Sequence, residues 1–181
     1  MKPTLTTSAS DPFAVLKMMT RVVDGQVAGF VSPPEITGIG VDFDPVPTQV
    51  SEDVGLIVES SGSTGRPKRI ELSLAARIAS ANASAKFLSG HGKWLLALPA
   101  NYIAGANVLF RSVVADTQPV IQNTRVPFSA EGFLNSVSLM RGGKRYTSLV
   151  PAQLDRLAAL IDLESQDSGI IAALQSFDAI L

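Results

Sequence analysis

Cysteine is absent from this 181-residue chain, and histidine occurs once, at His91. The first absence excludes a disulfide framework, a thiolate metal site and a cysteine nucleophile together. The second leaves little from which to build a zinc site or a Ser–His–Asp triad. An excess of one charge is lacking too: 15 Lys and Arg stand against 16 Asp and Glu, a formal net charge of −1 with no basic cluster. That argues against a nucleic-acid surface driven by phosphate neutralisation. No apolar run approaches the roughly 18 residues of a membrane span. Met1–Ser10 is rich in Thr and Ser and has no apolar core of the signal-peptide kind. The expectation is a cytoplasmic protein acting on small molecules, without nucleic acid or membrane insertion; composition sets no oligomeric state.

What is abundant is apolar surface. Hydrophobic residues make up 46% of the chain, charged residues 17%, and mean hydropathy is +0.26. Such a balance suits elements buried on both faces, or surface meant for a further segment. Asp11 and Pro12 open a predicted helix to Val23, with Phe13, Leu16, Met19 and Val23 on one face, and Asp24-Gly25 ends it. Residues 28–50, with Pro33, Pro34, Gly38, Gly40, Pro45 and Pro47, read as a loop or short edge strands. Asp42 and Asp44 fall here, on a solvated face rather than a metal site. Val54–Val58 reads as a buried strand and Arg69–Leu72 as a second. Ser73 caps a helix to about Leu88, with Leu74, Ile78, Ala81, Ala85 and Leu88 in one stripe. Further strands are expected at Trp94–Leu98, Pro119–Gln122, Arg145–Val150 and Phe177–Leu181. Helices are expected at Ile103–Ala115, from Ser129 to about Met140 before Gly142-Gly143, from Pro151, and at Ile170–Leu174. Strands and helices alternating at these spacings predict an α/β class: a layered fold with a mixed, largely parallel sheet flanked by helices. The division expected is 1–53, a helix and a Pro/Gly-rich segment, then an α/β core over 54–181. The final apolar strand has no loop after it, which reads as a truncated domain.

The stretch that bears on chemistry is Ser60-Ser61-Gly62-Ser63-Thr64-Gly65-Arg66-Pro67-Lys68, directly after a buried strand. Glycines let successive backbone N–H groups converge on one point, an anion-binding concavity. Ser60, Ser61, Ser63 and Thr64 add hydroxyl donors, and Lys68 adds a point charge. It is not a Walker A loop, because Pro67 precedes the lysine and a strand rather than a helix follows. The dinucleotide fingerprint Gly-x-Gly-x-x-Gly is absent as well. On composition alone the segment is either a phosphate-gripping loop or a Ser/Gly hairpin that binds nothing.

These nine residues resemble, position by position, the phosphate-loop signature of the acyl-adenylate-forming ligases: two small or hydroxyl residues, Gly, Ser/Thr, Thr, Gly, any residue, Pro, Lys. One departure follows at once, since the family usually carries glycine where this chain has Arg69. Trp94–Gly105 is similar to the strand and turn that end in His-x-x-Gly in those enzymes, with Tyr102 where histidine is usual. Gly105–Ser112 and Tyr146–Leu154 look like o-succinylbenzoate–CoA ligases of the short actinobacterial kind. Phe177–Leu181 resembles the strand that leads into their adenine-contacting loop. The resemblance runs from about Val54 to Leu181.

The resemblance implies a two-step reaction. A carboxylate attacks the α-phosphorus of ATP with Mg2+, giving an acyl-adenylate and releasing pyrophosphate, and the thiol of CoA then displaces AMP. It implies that Ser60, Ser61, Gly62, Ser63, Thr64, Gly65 and Lys68 hold phosphates. Tyr102 and Gly105 would belong to the acyl pocket, and Arg111 would meet the unreacted carboxylate of o-succinylbenzoate. An arginine paired or snorkelling structurally is the plainer reading of Arg111. His91, between glycines, is read as exposed and without a role. The magnesium ligand and the adenylation lysine are expected outside these residues, so the chain alone is expected to be inactive. Two other readings stay open: a ligase for another carboxylic acid, and a non-catalytic binding domain of the same fold.

Overall fold

The computed structural model describes residues 1–34, 45–60, 68–163 and 169–181, without the side chains of Ser60, Asp162 and Leu163. Two sheets organise it. The first has the order β3-β1-β2-β4-β5, from β1 (Lys2–Ser8), β2 (Ala28–Ser32), β3 (Gln49–Val50), β4 (Val54–Ser60) and β5 (Lys68–Ser73). Strands β1, β2 and β4 are parallel, and antiparallel β3 and β5 close the edges. The second sheet, β7-β6-β8-β9, is parallel throughout: β6 (Lys93–Leu96), β7 (Val120–Ile121), β8 (Arg145–Thr147) and β9 (Ala179–Ile180).

The α/β class holds, with a mixed sheet and a parallel sheet where the sequence had suggested one. Two strands correct the reading of the first 50 residues. β1 lies in the Thr-rich opening, where β-branched side chains suit an extended, half-buried backbone. β2 lies in the segment read as loop, and it is central rather than an edge. Flanked by β1 and β4, it buries Ala28, Gly29, Phe30 and Val31 on both faces, so it shows no alternation to read. Because β2 pairs with β4, the first sheet spans the division expected at residue 53. Asp42 and Asp44 lie outside the described residues.

Helices α1 (Pro12–Val23), α2 (Leu74–Phe87) and α4 (Ala130–Ser138) start where their caps predict. The Asp11 carboxylate accepts from the Ala14 amide at 2.9 Å, Ser73 Oγ from Ala76 at 3.2 Å, and Ser129 Oγ from Gly132 at 3.1 Å. Gly142 and Gly143, both at positive φ, carry the chain away after α4. The buried face of α1 differs from the one expected: Val15, Met18, Met19 and Val22 are buried, and Phe13 stands exposed. Helices α3 (Ile103–Val114), α5 (Pro151–Leu163) and α6 (Ile170–Gln175) complete the chain.

Period-two alternation divides the core. On β6, Trp94 and Leu96 point into one cluster, while Leu95 points into another. The first cluster joins the two sheets through α1 and α3: Met18, Met19 and Val22 meet Val108, Leu109 and Phe110 between Leu56 and Trp94. The second lies under α4, α5 and α6, around Phe133, Met140 and Leu157. A third, small cluster of Ala28, Phe30, Val50, Val54 and Ile57 lines the other face of the first sheet. The layers therefore run sheet, helices, sheet, helices.

Candidate functional site

Strands β4 and β5 form a hairpin whose neck is pinned pair by pair: Val58 opposite Ile70, Glu59 opposite Arg69, Ser60 opposite Lys68. Ser61, Gly62, Ser63, Thr64 and Gly65 belong to the connection and lie outside the described residues. What is fixed is the base. Ser60 ends the parallel strand β4 and Lys68 faces it across the ladder, so the two ends of the motif sit side by side.

Arg69, where the sequence departs from the family signature, is turned to the outer face of the sheet. Its Nε meets the Glu59 carboxylate at 3.1 Å, its Nη1 donates to the Pro45 carbonyl at 2.8 Å, and its guanidinium lies 5.3 Å from the Phe30 ring centroid. The extra charge is thus engaged in covering the small outer cluster and bracing the neck.

Tyr102 occupies the cap position of α3 in extended conformation, with no side-chain cap bond, and is 58% exposed. Gly105 sits one turn on. A Cβ there would lie 2.3 Å from the Pro99 carbonyl oxygen and 2.8 Å from that of Leu98. Its missing side chain lets the first turn of α3 lie directly on the turn that leaves β6. Asn101, in the same turn, has a buried Oδ1 without a hydrogen-bond partner.

Arg111 is elsewhere. It lies nine residues beyond Tyr102, about 13.5 Å along a helix. Its guanidinium stacks 5.0 Å from the ring centroid of Trp94, near the amino end of β6, whereas Tyr102 follows the carboxyl end. The structure does not bring the two residues into one pocket. The cavity beside Arg111, lined also by Trp94, Tyr146 and exposed His91, has a volume of about 10 Å³. That is room for about one water molecule.

Sequence reasoning passed over Arg77, on the facing side of α2. Its Nη2 donates to Asn107 Oδ1, its guanidinium lies 5.4 Å from the Phe110 ring centroid, and its Nε is buried without a partner. Burial holds both guanidiniums below their ordinary value, and repulsion from Arg77 adds to the effect on Arg111. An arginine in an otherwise alanine-rich stripe was the available signal. Among the described residues no group of three or more His, Cys, Asp or Glu could hold a metal ion. No described helix is long and apolar enough to cross a membrane.

Comparison with known proteins gives this geometry a context. Over 167 residues, 92% of the chain, it is 38% identical to a probable 2-succinylbenzoate–CoA ligase of Mycobacterium tuberculosis, of which it covers 42%. A 2-succinylbenzoate–CoA ligase of Bacillus licheniformis is 36% identical over 113 residues, 61% of this chain and 23% of the relative. The O-succinylbenzoate coenzyme A synthetase of Bacillus subtilis, solved in complex with AMP, superposes with a TM-score of 0.54 at 26% identity. That match covers 70% of this chain and 24% of the synthetase. A malonyl-CoA ligase complex reaches 0.69 over 98% of this chain and 45% of its own, at 17% identity, a likeness of fold alone. No family model matches the chain. The chain spans less than half the length of the curated relatives it matches. It is a homologue of the 2-succinylbenzoate–CoA ligases and carries the acyl-CoA synthetase fold over the stretch it shares with them.

Proposed function

We propose that Ser60–Lys68 cradles the phosphate tail of ATP, in a polypeptide that joins o-succinylbenzoate to CoA through an acyl-adenylate. The observation that carries this is the nine-residue motif seated on the hairpin neck, where β4 and β5 hold its two ends together. The names of the relatives support the same chemistry. In this reading Ser61, Gly62, Ser63, Thr64 and Gly65 supply amide and hydroxyl donors, and Lys68 supplies charge. The residues position and neutralise rather than react, as phosphoryl and adenylyl transfer require. Magnesium accompanies ATP and draws charge from the phosphates; no described residue is assigned to hold it.

Tyr102 is proposed to wall the acyl side at the start of α3, with Gly105 allowing that turn its close approach. Arg111 stacks on Trp94 near the other end of the helix, away from the Tyr102 turn where the acid is proposed to lie. That placement favours, as a second reading, a ligase of the same class for another carboxylic acid. The product of the first reading would feed menaquinone synthesis in the cytoplasm.

The test is a titration of the isotope-labelled 181-residue chain with ATP and magnesium, followed by amide NMR. The amides of residues 61–66 and of Lys68 are expected to shift, weakly but saturably. Lys68→Ala should cost about ten-fold or more in affinity, as loss of a charge-assisted contact does. The same preparation given o-succinylbenzoate and CoA is expected to form no thioester, since the two-step chemistry is assigned to a polypeptide of the relatives' length. Shifts confined to other segments, unchanged by Lys68→Ala, would overturn the phosphate-loop assignment.

A further inference from the structure

Charge is balanced along the sequence, 15 Lys and Arg against 16 Asp and Glu, but not across the fold. Two glycine-containing loops meet at the amino end of the second sheet: Ser89–Gly92, leading into β6, and Arg141–Lys144, leading into β8. They are laced together. The Lys93 amide donates to the Lys144 carbonyl at 2.8 Å, Lys93 Nζ donates to the Arg141 carbonyl, and Lys93 and Arg145 are partners in the parallel ladder. Lys144 Nζ reaches the Leu88 and Ser89 carbonyls, each at 3.0 Å, at the end of α2 where Lys86 stands exposed. Lys86, Lys93, Arg141, Lys144 and Arg145, scattered over 60 residues of sequence, thus gather at one end of the molecule.

Little in the fold answers these charges. Among the described residues the ion pairs, Met1 with Glu52 and Arg69 with Glu59, lie elsewhere. Two acids border the patch. The Asp178 carboxylate accepts the Arg145 amide at 2.9 Å, and exposed Asp116 precedes Thr117, whose hydroxyl donates to the Gly92 carbonyl at 3.3 Å. The negative end of the α2 dipole accounts for Lys86 and Lys144. It does not account for Lys93 set beside Arg145, since ladder neighbours of one sign repel. Nor does it account for two apolar side chains left in water at the same end. Phe87, next to Lys86, is 86% exposed, and Leu139, two residues before Arg141, is 64% exposed. The niche beside Arg111 at this end, about 10 Å³, is too small for a discrete anion, so the surface is broad rather than concave.

We propose that this end docks the chain on an anionic phospholipid surface, with the five cations among the headgroups and Phe87 and Leu139 dipping into the boundary of the acyl chains. Basic side chains flanked by exposed Phe and Leu suit a surface that lies on anionic lipid rather than spanning it. A protein partner fits less well, because such interfaces place apolar side chains at a packed centre and charges at the rim. Here Phe87 and Leu139 stand at separate helix ends with the cationic loops between them. Ser10–Phe13, after β1, share a groove with Ile121–Val126, after β7, so the carboxyl ends of both sheets point the same way. Docking by the amino end therefore leaves Ser60–Lys68 open to water, and the proposal does not rest on the phosphate loop.

The test is co-sedimentation of the 181-residue chain with vesicles of phosphatidylglycerol and phosphatidylcholine in equal parts. The chain is expected to pellet with these and to stay in solution with pure phosphatidylcholine. It should be released as salt rises from about 0.1 M to about 1 M and the Debye length falls to about 3 Å. Arg141→Glu should weaken binding about ten-fold or more. Arg125→Glu makes the same change of net charge at an exposed position beyond the carboxyl end of β7, and should leave binding unaltered. Phe87→Trp should still pellet, and its emission should move to the blue on the anionic vesicles, whereas Trp94 is buried already. Equal loss in the two arginine variants would overturn the proposal, since net charge rather than this surface would then govern binding. So would failure to pellet with the anionic vesicles, whether or not the chain is retained on heparin as a binder of soluble polyanions would be.

Discussion

Tyr146 lies against Trp94, ring centroids 5.2 Å apart, and is 1% exposed. Its hydroxyl stands 3.2 Å from the Leu88 carbonyl and 3.1 Å from that of Gly90, so one proton serves two acceptors at the end of α2. Burial first, and the charge of Asp178 second, push its ionisation above the ordinary 10.0. The folded chain thus keeps the phenol proton at a pH where the unfolded chain releases it. This contribution to stability is complete below about pH 10 and is lost as pH climbs toward the folded value, at up to about 1.4 kcal/mol per pH unit. Tyr146→Phe should cost about 1 kcal/mol at neutral pH through the lost hydrogen bond. It should also flatten the alkaline decline in urea-unfolding free energy. Parallel profiles for the two proteins above pH 10 would show that another group carries the decline. Single residues were the least legible scale in the sequence. Arg69 stood out only as a departure from the signature and Arg111 as a candidate for a ligand carboxylate, yet each rests on an aromatic ring supplied by a distant strand. No local pattern announces such a partner.

Elements were legible wherever their signals are local. The caps Asp11, Ser73 and Ser129 each accept a hydrogen bond from an amide three residues on, and the helices begin there. Strand β2 was hidden because burial on both faces removes alternation, and the Pro residues after it made its surroundings resemble a loop. The first turn of α3 shows how an element is seated rather than formed. Alanine favours a helix over glycine by about 1 kcal/mol, so propensity alone would make Gly105→Ala stabilising. The Cβ, however, would sit 2.3 Å from the Pro99 carbonyl oxygen, and all three of the nearest atoms there are backbone atoms that no rotamer change can move. The clash should win. A net loss of about 1–3 kcal/mol is expected, the usual cost of forced overpacking, read as a lower urea midpoint. A neutral or stabilised variant would mean that the Leu98–Pro99 turn yields, and that Gly105 is not needed for docking α3.

At the scale of the whole molecule, the two sheets share no strand among the described residues, and what joins them is the apolar layer of α1 and α3. The motif at Ser60–Lys68 hangs from the first sheet and the Tyr102 turn from the second, so their relative placement depends on that layer. This dependence was illegible in the sequence, because a stripe such as Val108, Leu109 and Phe110 says that a helix is buried but not that it is buried between two sheets. Leu109 is fully buried in the shared cluster. Leu109→Ala should cost about 2–5 kcal/mol, lost transfer energy plus the cavity left behind. Trp94, the single tryptophan, reports the second sheet by fluorescence, and far-UV circular dichroism reports both. If the layer couples the sheets, the two signals trace one transition in the parent chain, and Leu109→Ala moves both to the same lower urea midpoint. Separate midpoints in the parent, or a fluorescence transition that moves while the remaining dichroism stays in place, would mean that each sheet stands on its own core.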